Sequence, residues 1–194
     1  ALKTDLIDRT IVSTDDENIA EISRNFGAET PFIRPAELAT DEASTLDVLL
    51  HSIEWCKNNE DLHYDIILLL HANTPLRNKH DIRECIEILV DQNADNVFSV
   101  APARNNPYFN MVEVNEKSKV RLVKDGNFQN RQSAPSVYDM NSSIYAWWAD
   151  KLVEKKSLFL PKTRIHIMPR ERSIDIDEPI DFRITEMIMK DRIK

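Results

Sequence analysis

The sequence predicts an α/β protein whose open, mostly parallel sheet is flanked by helices, and three observations lead there. Short runs of branched apolar residues alternate with amphipathic helical stretches through the first hundred residues. One of those runs, YDIILLL at 64–70, is apolar nearly throughout, as a strand covered on both faces would be. A stretch rich in Pro, Asn, Ser and charge, 101–139, then interrupts the pattern before it resumes, which reads as a small insertion rather than a second domain. At 194 residues and 42% hydrophobic content the chain is long and apolar enough for one domain with a sizeable core.

The elements follow in order. Asp8 to Thr14 reads as a short strand, and Asp15 or Asp16 opens a helix, Glu17 to Phe26, closed by Gly27. Ala28 to Ile33 is a second short extended run. Pro35 to Thr45 is a polar loop, and LDVLLHSIEWCK, 46–57, has apolar residues at helical spacing. After the apolar strand comes a loop, HANTPLR at 71–77, then a helix from Lys79 to Gln92 and a strand, NVFSV at 96–100. Within the insertion, Phe109 to Val114 and Val120 to Val123 alternate as hairpin strands do. Strands resume at Ser143 to Trp148 and Ile165 to Met168, and a last helix spans about Ile180 to Ile193.

Charge and composition exclude several functions. Lys plus Arg is 25 and Asp plus Glu is 33, a net charge of −8, so no general attraction to nucleic acid or anionic membrane is expected. No apolar run approaches the roughly 20 residues of a membrane-spanning helix. Cys56 and Cys85 are far apart and lack metal-ligand spacing, which argues against zinc or a disulfide scaffold and fits a reduced, cytoplasmic setting. There is no GxSxG, HExxH or P-loop motif. Only two glycines occur, where a chain of this length averages about 14.

Four groups of residues could carry chemistry. In SIDID, 173–177, an extended backbone would set Asp175 and Asp177 on one side, and two such carboxylates suit a hard cation such as Mg²⁺; a solvated strand edge is the alternative. The HANTPLR loop, with His71 and Asn73, follows the most apolar strand, where ligands of open α/β sheets bind, though an ordinary capped connection has the same composition. Asp15 sits at an earlier strand end, as a ligand-side residue or as a helix cap. Arg34 stands in a polar loop where a guanidinium could clamp a phosphate; Arg131, Arg170 and Arg172 are other candidates. Trp147 and Trp148 read as packing, and His51, His63, His80 and His166 have no partner at useful spacing.

Taken in order, IVSTDDENIAEI, GAETPFIRPAELATDEAS, LLHANTPLR, RQSAP, YDMNSSIY and SIDIDEPIDF span nearly the whole chain. Together they resemble the acylneuraminate cytidylyltransferase family, the CMP-sialic acid synthetases and their bacterial relatives. The resemblance implies a Rossmann-like sheet of the nucleotide-diphospho-sugar transferase type. It also implies transfer of CMP from CTP to the anomeric hydroxyl of a nine-carbon 2-keto acid, with pyrophosphate released. It makes Asp175 and Asp177 the Mg²⁺ pair and catalytic residues, and puts Arg34 and Ser44, with Asp15 beside them, in the nucleotide site. His71, Arg131, Asn141, Tyr145 and Phe159, with Asn73, would line the sugar site. The inserted segment, about 104–141, would form the interface of a homodimer, with Arg131 acting across it.

Three departures bear on the substrate. His71 stands where many sialic acid enzymes have Gln, Asp139 where they often have a sugar-binding Arg, and Leu158 replaces one of two adjacent aromatics. ARNNPYF, RQSAP and YDMN look more like the legionaminic acid branch. The family's Gly-rich, basic N-terminal loop has no match, so a longer natural protein is expected, with roughly 35 further residues in a first β-α unit. The competing expectations are an enzyme for another sugar acid such as Kdo, and a non-catalytic sugar-nucleotide-binding homologue.

Overall fold

The computed structural model describes the chain apart from Lys3, Asn127, Gln129, Arg131 and Lys194, and apart from the side chain of Ile193. Its elements are α1 (Glu17–Asn25), α2 (Thr45–Glu60), β1 (Ile66–Leu70), α3 (Lys79–Asp91), β2 (Asn96–Pro102), β3 (Val112–Val114), β4 (Val120–Leu122), β5 (Tyr138–Trp148), α4 (Ala149–Lys155), β6 (Thr163–Ile167) and α5 (Pro179–Ile193), with two 3-10 turns, Ala36–Leu38 and Arg170–Arg172. Four strands form one sheet in the order β1-β5-β2-β6, and β3 pairs with β4 in a separate hairpin. The expected α/β class holds: a sheet with intervening helices, interrupted where the insertion was read.

The chain separates into two compact units. The first holds Ala1–Leu70, Arg77–Phe98 and Ile144–His166, and the second His71–Leu76, Ser99–Ser143 and Ile167–Lys194. In the first, Cys56, Ile82, Cys85, Leu89, Val97, Ile144, Ala146, Trp147 and Leu152 are buried. The helices start where the sequence supplies caps. Asp16 accepts from the backbone N–H groups of Asn18 and Ile19 ahead of α1, and Asn78 forms a reciprocal capping box with Asp81 ahead of α3. Gly27, at φ +90°, turns the chain out of α1. Arg9 ties the start of this unit to α2: it pairs with Glu29 at 2.7 Å and with Glu60, and donates to the Tyr64 hydroxyl at 2.9 Å. Those contacts push the Arg9 pKa up, Glu60 contributing most.

In the second unit Leu76, Val100, Ala101, Ala103 and Met168 are buried. Asn106 organises the insertion. Its side-chain oxygen accepts from the Tyr108 N–H at 2.9 Å, and its amide donates to the Pro135 carbonyl at 2.9 Å. Gly126 lies under the Tyr108–Phe128 edge-to-face pair, where a Cβ would come within 2.4 Å of the Phe128 ring. The β3–β4 hairpin matches the alternating stretches read from sequence, pairing Val112 with Leu122 and Val114 with Val120.

Three readings need correction, and one helix is added. The runs 8–14 and 28–33 are not strands but meet in a single parallel bridge, Ile11 with Glu29. Pro31 and the interspersed polar residues leave too little regular ladder. The apolar β1 is half-buried rather than fully covered, and its sheet neighbour β5 runs antiparallel to it, from Ile66 opposite Trp148 to Leu70 opposite Ile144. A five-residue apolar run signals burial but carries no information about partner direction. Segment 173–177 is not a regular strand; it leaves the 3-10 turn Arg170–Arg172 and leads into α5. Finally, α4 follows directly on β5 with no side-chain cap and no sequence signal ahead of it.

Candidate active site

The second unit joins the loop after β1 to the segment before α5. The Ile176 N–H donates to the Asn73 carbonyl at 2.9 Å, and the Thr74 hydroxyl donates to the His71 carbonyl at 3.2 Å. This brings His71, Asn73, Asp175 and Asp177 into one neighbourhood. One oxygen of Asp175 is buried and has no hydrogen-bond partner. Burial pushes the Asp175 pKa up, the Asp177 charge adds to that, and His71 opposes it. Asp177 is exposed. Asp181 caps the following turn, accepting from the N–H groups of Glu178 at 2.8 Å and Asp177 at 3.3 Å. That leaves the Asp177 carboxylate outside the capping arrangement.

Asn141 sets the position of this segment. It is 5% exposed on β5, and its side-chain oxygen accepts from the Ser99 hydroxyl of β2 at 2.6 Å and from the Ser143 N–H at 3.2 Å. Its amide donates to the Ser173 hydroxyl at 2.9 Å and lies 3.4 Å from the Met168 sulfur. Ser173 in turn donates to the Pro169 carbonyl at 3.0 Å. Between Asn141 and Ser143, Ser142 takes a left-handed φ of 49° inside a strand, a bulge-like kink that aligns with both flanking residues being buried. The Asn141 amide is thus engaged within the protein two residues from the start of Ser143 and hydrogen-bonded to the residue that opens 173–177. Neither Ser99 nor Ser173 was singled out from sequence; a lone serine in a strand or ahead of an acidic motif carries no such signal.

An open depression of about 380 Å³ lies in this unit, lined by Ala101, Arg104, Asp139, Met140, Asn141, Arg170, Ser173 and Asp175. Arg170 is fixed by its Nε, which donates to the Pro102 carbonyl at 3.0 Å. A second depression, of about 450 Å³, belongs to the first unit and is lined by Thr4, Asp5, Lys79, His80 and Arg83, none of them a candidate residue.

The nucleotide-side candidates belong to the first unit. Arg34 pairs with Asp15 at 3.0 Å, and the guanidinium holds the Asp15 carboxyl below the usual carboxylate range. Asp16, not Asp15, is the helix cap, which leaves Asp15 for this pair. The Arg34 Nε is buried without a partner, a donor aimed at no protein acceptor. Ser44 caps α2, its oxygen accepting from the Leu46 N–H at 3.2 Å. Tyr145 is buried, stacked on Trp147 at 5.8 Å, and Phe98 stands between it and Phe159, which is 68% exposed. Trp147 and Trp148 pack as read, their indole N–H groups donating to the Ser157 and Ala94 carbonyls. Arg131 lies outside the described residues. His166, given no role from sequence, meets the buried Asp81 at 3.4 Å.

Among the described residues no group of three or more His, Cys, Asp or Glu side chains is placed so that it could hold a metal ion. A cation here would therefore draw on the Asp175–Asp177 pair alone and fill its shell with other oxygens. That is the habit of Mg²⁺, and the unpartnered, desolvated Asp175 oxygen is the donor it needs. Among the described residues no helix is long and apolar enough to cross a membrane.

The comparisons with known proteins cover the same ground. The family model described as Cytidylyltransferase matches residues 1–189. "Post-translational flagellin modification protein B" of Campylobacter coli is 39% identical over 196 residues, covering 99% of this chain and 81% of that protein. The CMP-N,N'-diacetyllegionaminic acid synthase of Campylobacter jejuni is 37% identical over 189 residues, covering 97% and 80%. A pseudaminic acid cytidylyltransferase of the same species is 27% identical over 191 residues, covering 98% and 82%. A solved CMP-2-keto-3-deoxy-manno-octonic acid synthetase complexed with CTP shares the fold, with a TM-score of 0.69 at 16% identity over 98% of this chain and 84% of its own. With a family model aligned along almost its entire length and the acidic pair inside that alignment, this chain belongs to the cytidylyltransferase family.

Proposed function

We propose that the chain transfers CMP from CTP to a nine-carbon 2-keto-3-deoxy sugar acid of the N-acylneuraminic or legionaminic class, releasing pyrophosphate. The observation that carries this reading is the buried, unpartnered Asp175 oxygen beside Asp177, in a chain of the cytidylyltransferase family. The name of one of the two most similar relatives quoted above, the CMP-N,N'-diacetyllegionaminic acid synthase, favours the legionaminic side.

Asp175 and Asp177 would hold Mg²⁺, which when bound supplies neutralisation of the triphosphate charge. The chain's own groups do the rest. The Arg34 Nε, buried and unpaired, is left to donate to a nucleotide oxygen, with Asp15 fixing the guanidinium. The oxygen of the sugar's anomeric hydroxyl attacks the α-phosphorus; an oxygen–phosphorus bond forms, and the bond from the α-phosphorus to the departing pyrophosphate breaks. Asp175 serves either as a second ligand of the Mg²⁺ ion or as the base that takes the hydroxyl proton through water. His71, close enough to Asp175 to oppose the rise in its pKa, favours its ionised form.

A homodimer in a cytoplasmic setting completes the proposal. The exposed valines of the β3–β4 hairpin support the first, and two free, buried cysteines the second.

The test is pyrophosphate release from CTP with a panel of sugar acids: N,N'-diacetyllegionaminic, pseudaminic, N-acetylneuraminic and Kdo. Asp177→Ala is expected to lower turnover by roughly 100-fold or more. Unchanged release would reject the acidic pair's role. CTP titrated with and without Mg²⁺ separates an enzyme from a mere binding homologue, since only the former needs the metal.

A further inference from the structure

We infer that Arg104 and Arg170 form the carboxylate-recognition edge of the acceptor site, gripping the single negative charge of the sugar acid at the rim of the depression that ends at Asp175. The inference deepens the function proposed above and rests on it.

Four observations support it. Both arginines line the same depression as the buried Asn141 and the unpartnered Asp175. Among the described residues the Arg104 side chain makes no hydrogen bond or ion pair, and the Arg170 side chain makes one, from its Nε to the Pro102 carbonyl, leaving its two terminal nitrogens free. A guanidinium held by one edge presents the other as a fork, the geometry that matches a carboxylate. The anchoring is short-range: Arg170 opens the 3-10 turn that leads into Ser173, and Ser173 is held by Asn141, so the fork and the acidic segment share one frame.

The lining composition selects among anions. Two arginines face two aspartates, Asp139 and Asp175, so the formal charges cancel. A triphosphate, with several negative charges, would find no net positive charge in this lining to offset them. A ligand carrying one carboxylate and many hydroxyls suits the set, because Asp139 can accept from hydroxyl or amide N–H groups while the arginines hold the charge. Met140 and Ala101 add a small apolar wall, fit for the methyl of an acyl group.

The experiment compares a sugar acid with its methyl ester, which keeps every hydroxyl and removes the charge. Wild type, Arg104→Gln, Arg170→Gln and Arg170→Lys are assayed for pyrophosphate release with N,N'-diacetyllegionaminic acid and its ester, and KM for CTP is measured alongside. Circular dichroism melts check folding, and the exposed positions of both arginines make intact variants the expected result. The wild type should prefer acid over ester by about 10- to 100-fold in kcat/KM, the range of charge-assisted hydrogen bonds. Each Gln variant should raise KM for the acid about tenfold, bring the acid-to-ester ratio down toward unity and leave KM for CTP within about twofold. Arg170→Lys should fall between, keeping the charge and losing the fork. An unchanged acid-to-ester ratio in both Gln variants overturns the inference while wild-type turnover leaves the enzymatic reading standing. A rise in KM for CTP with none for the acid overturns it too, reassigning the arginines to phosphate. If the wild type turns over no acid, the enzymatic reading fails, and calorimetric titration still decides this one. Acid-selective binding lost in Arg170→Gln upholds it, and equal binding of acid and ester by the wild type overturns it.

Discussion

Asp175 is a group whose folded environment disfavours its charge. Burial raises its pKa first and Asp177 second, so the native state binds a proton more tightly there than the unfolded chain does. The sign follows. Its contribution to stability is present in full at pH below the ordinary Asp range and is lost as pH rises through the raised value. At neutral pH, without metal, the ionised side chain is a liability to the fold. Asp175→Asn removes that charge and is expected to raise the melting temperature of the metal-free protein by about 2 °C at pH 7.5, with the gain shrinking toward pH 4. The same change should lower pyrophosphate release by roughly 100-fold or more. Thermal melts across pH, beside the activity assay, check both; a variant less stable than wild type at pH 7.5 would contradict the burial argument.

Residues also show where sequence reading stops. Asp175 and Asp177 stood out because two carboxylates in SIDID need a common reason, and His71 and Asn73 because they follow an apolar strand. Asn141 was legible only by resemblance, as a sugar contact, whereas its amide bonds Ser99, Ser143 and Ser173. Those partners are 42 and 32 residues away in the first and last cases, and no local pattern encodes a bond of that separation. Arg104 went unremarked for the same reason: an isolated arginine in a polar stretch reads as surface until the chain folds a depression around it.

At the scale of elements, helices were recovered to within a few residues wherever a cap and an apolar period coincided, as in α1, α2 and α3. Strand direction and the short pieces were not. β1 pairs antiparallel with β5, and 8–14 with 28–33 reduces to one bridge, because short apolar runs specify burial and not partners. The scarcity of glycine leaves a mark on the helix ends. Asp61 closes α2 at φ 50° and Lys156 closes α4 at φ 46°, both in the left-handed region where glycine is the usual choice. Lys156→Gly should therefore stabilise by about 1 kcal/mol, net of glycine's extra freedom in the unfolded chain. Asp61→Gly should give less, since Asp tolerates that conformation better. Denaturant midpoints measure both; a lower midpoint for Lys156→Gly would mean its aliphatic stem or charge matters more than its backbone.

At the scale of the whole molecule, the insertion has the clearest unfinished surface. Val112, Val114 and Val120 are 59%, 63% and 64% exposed on a two-stranded hairpin. Such a hairpin is marginal in water by itself, and apolar faces of this kind are commonly closed by a second copy. If the proposed dimer forms there, Val114→Asp with Val120→Asp should convert it to monomer in sedimentation equilibrium, at little cost to the fold of the monomer. A dimer that persists would put the interface elsewhere.

β1 has a single strand neighbour among the described residues, and its five residues, IILLL, are all aliphatic and carry no charge. A rim of that make-up has unused main-chain donors and acceptors beside oily side chains, with no lysine or proline to deter a stranger. Isolated polypeptide kept concentrated or gently warmed would be expected to zip such rims together between molecules. Its tendency to precipitate would then be governed less by the overall charge of −8 than by whatever segment comes to lie along that one border.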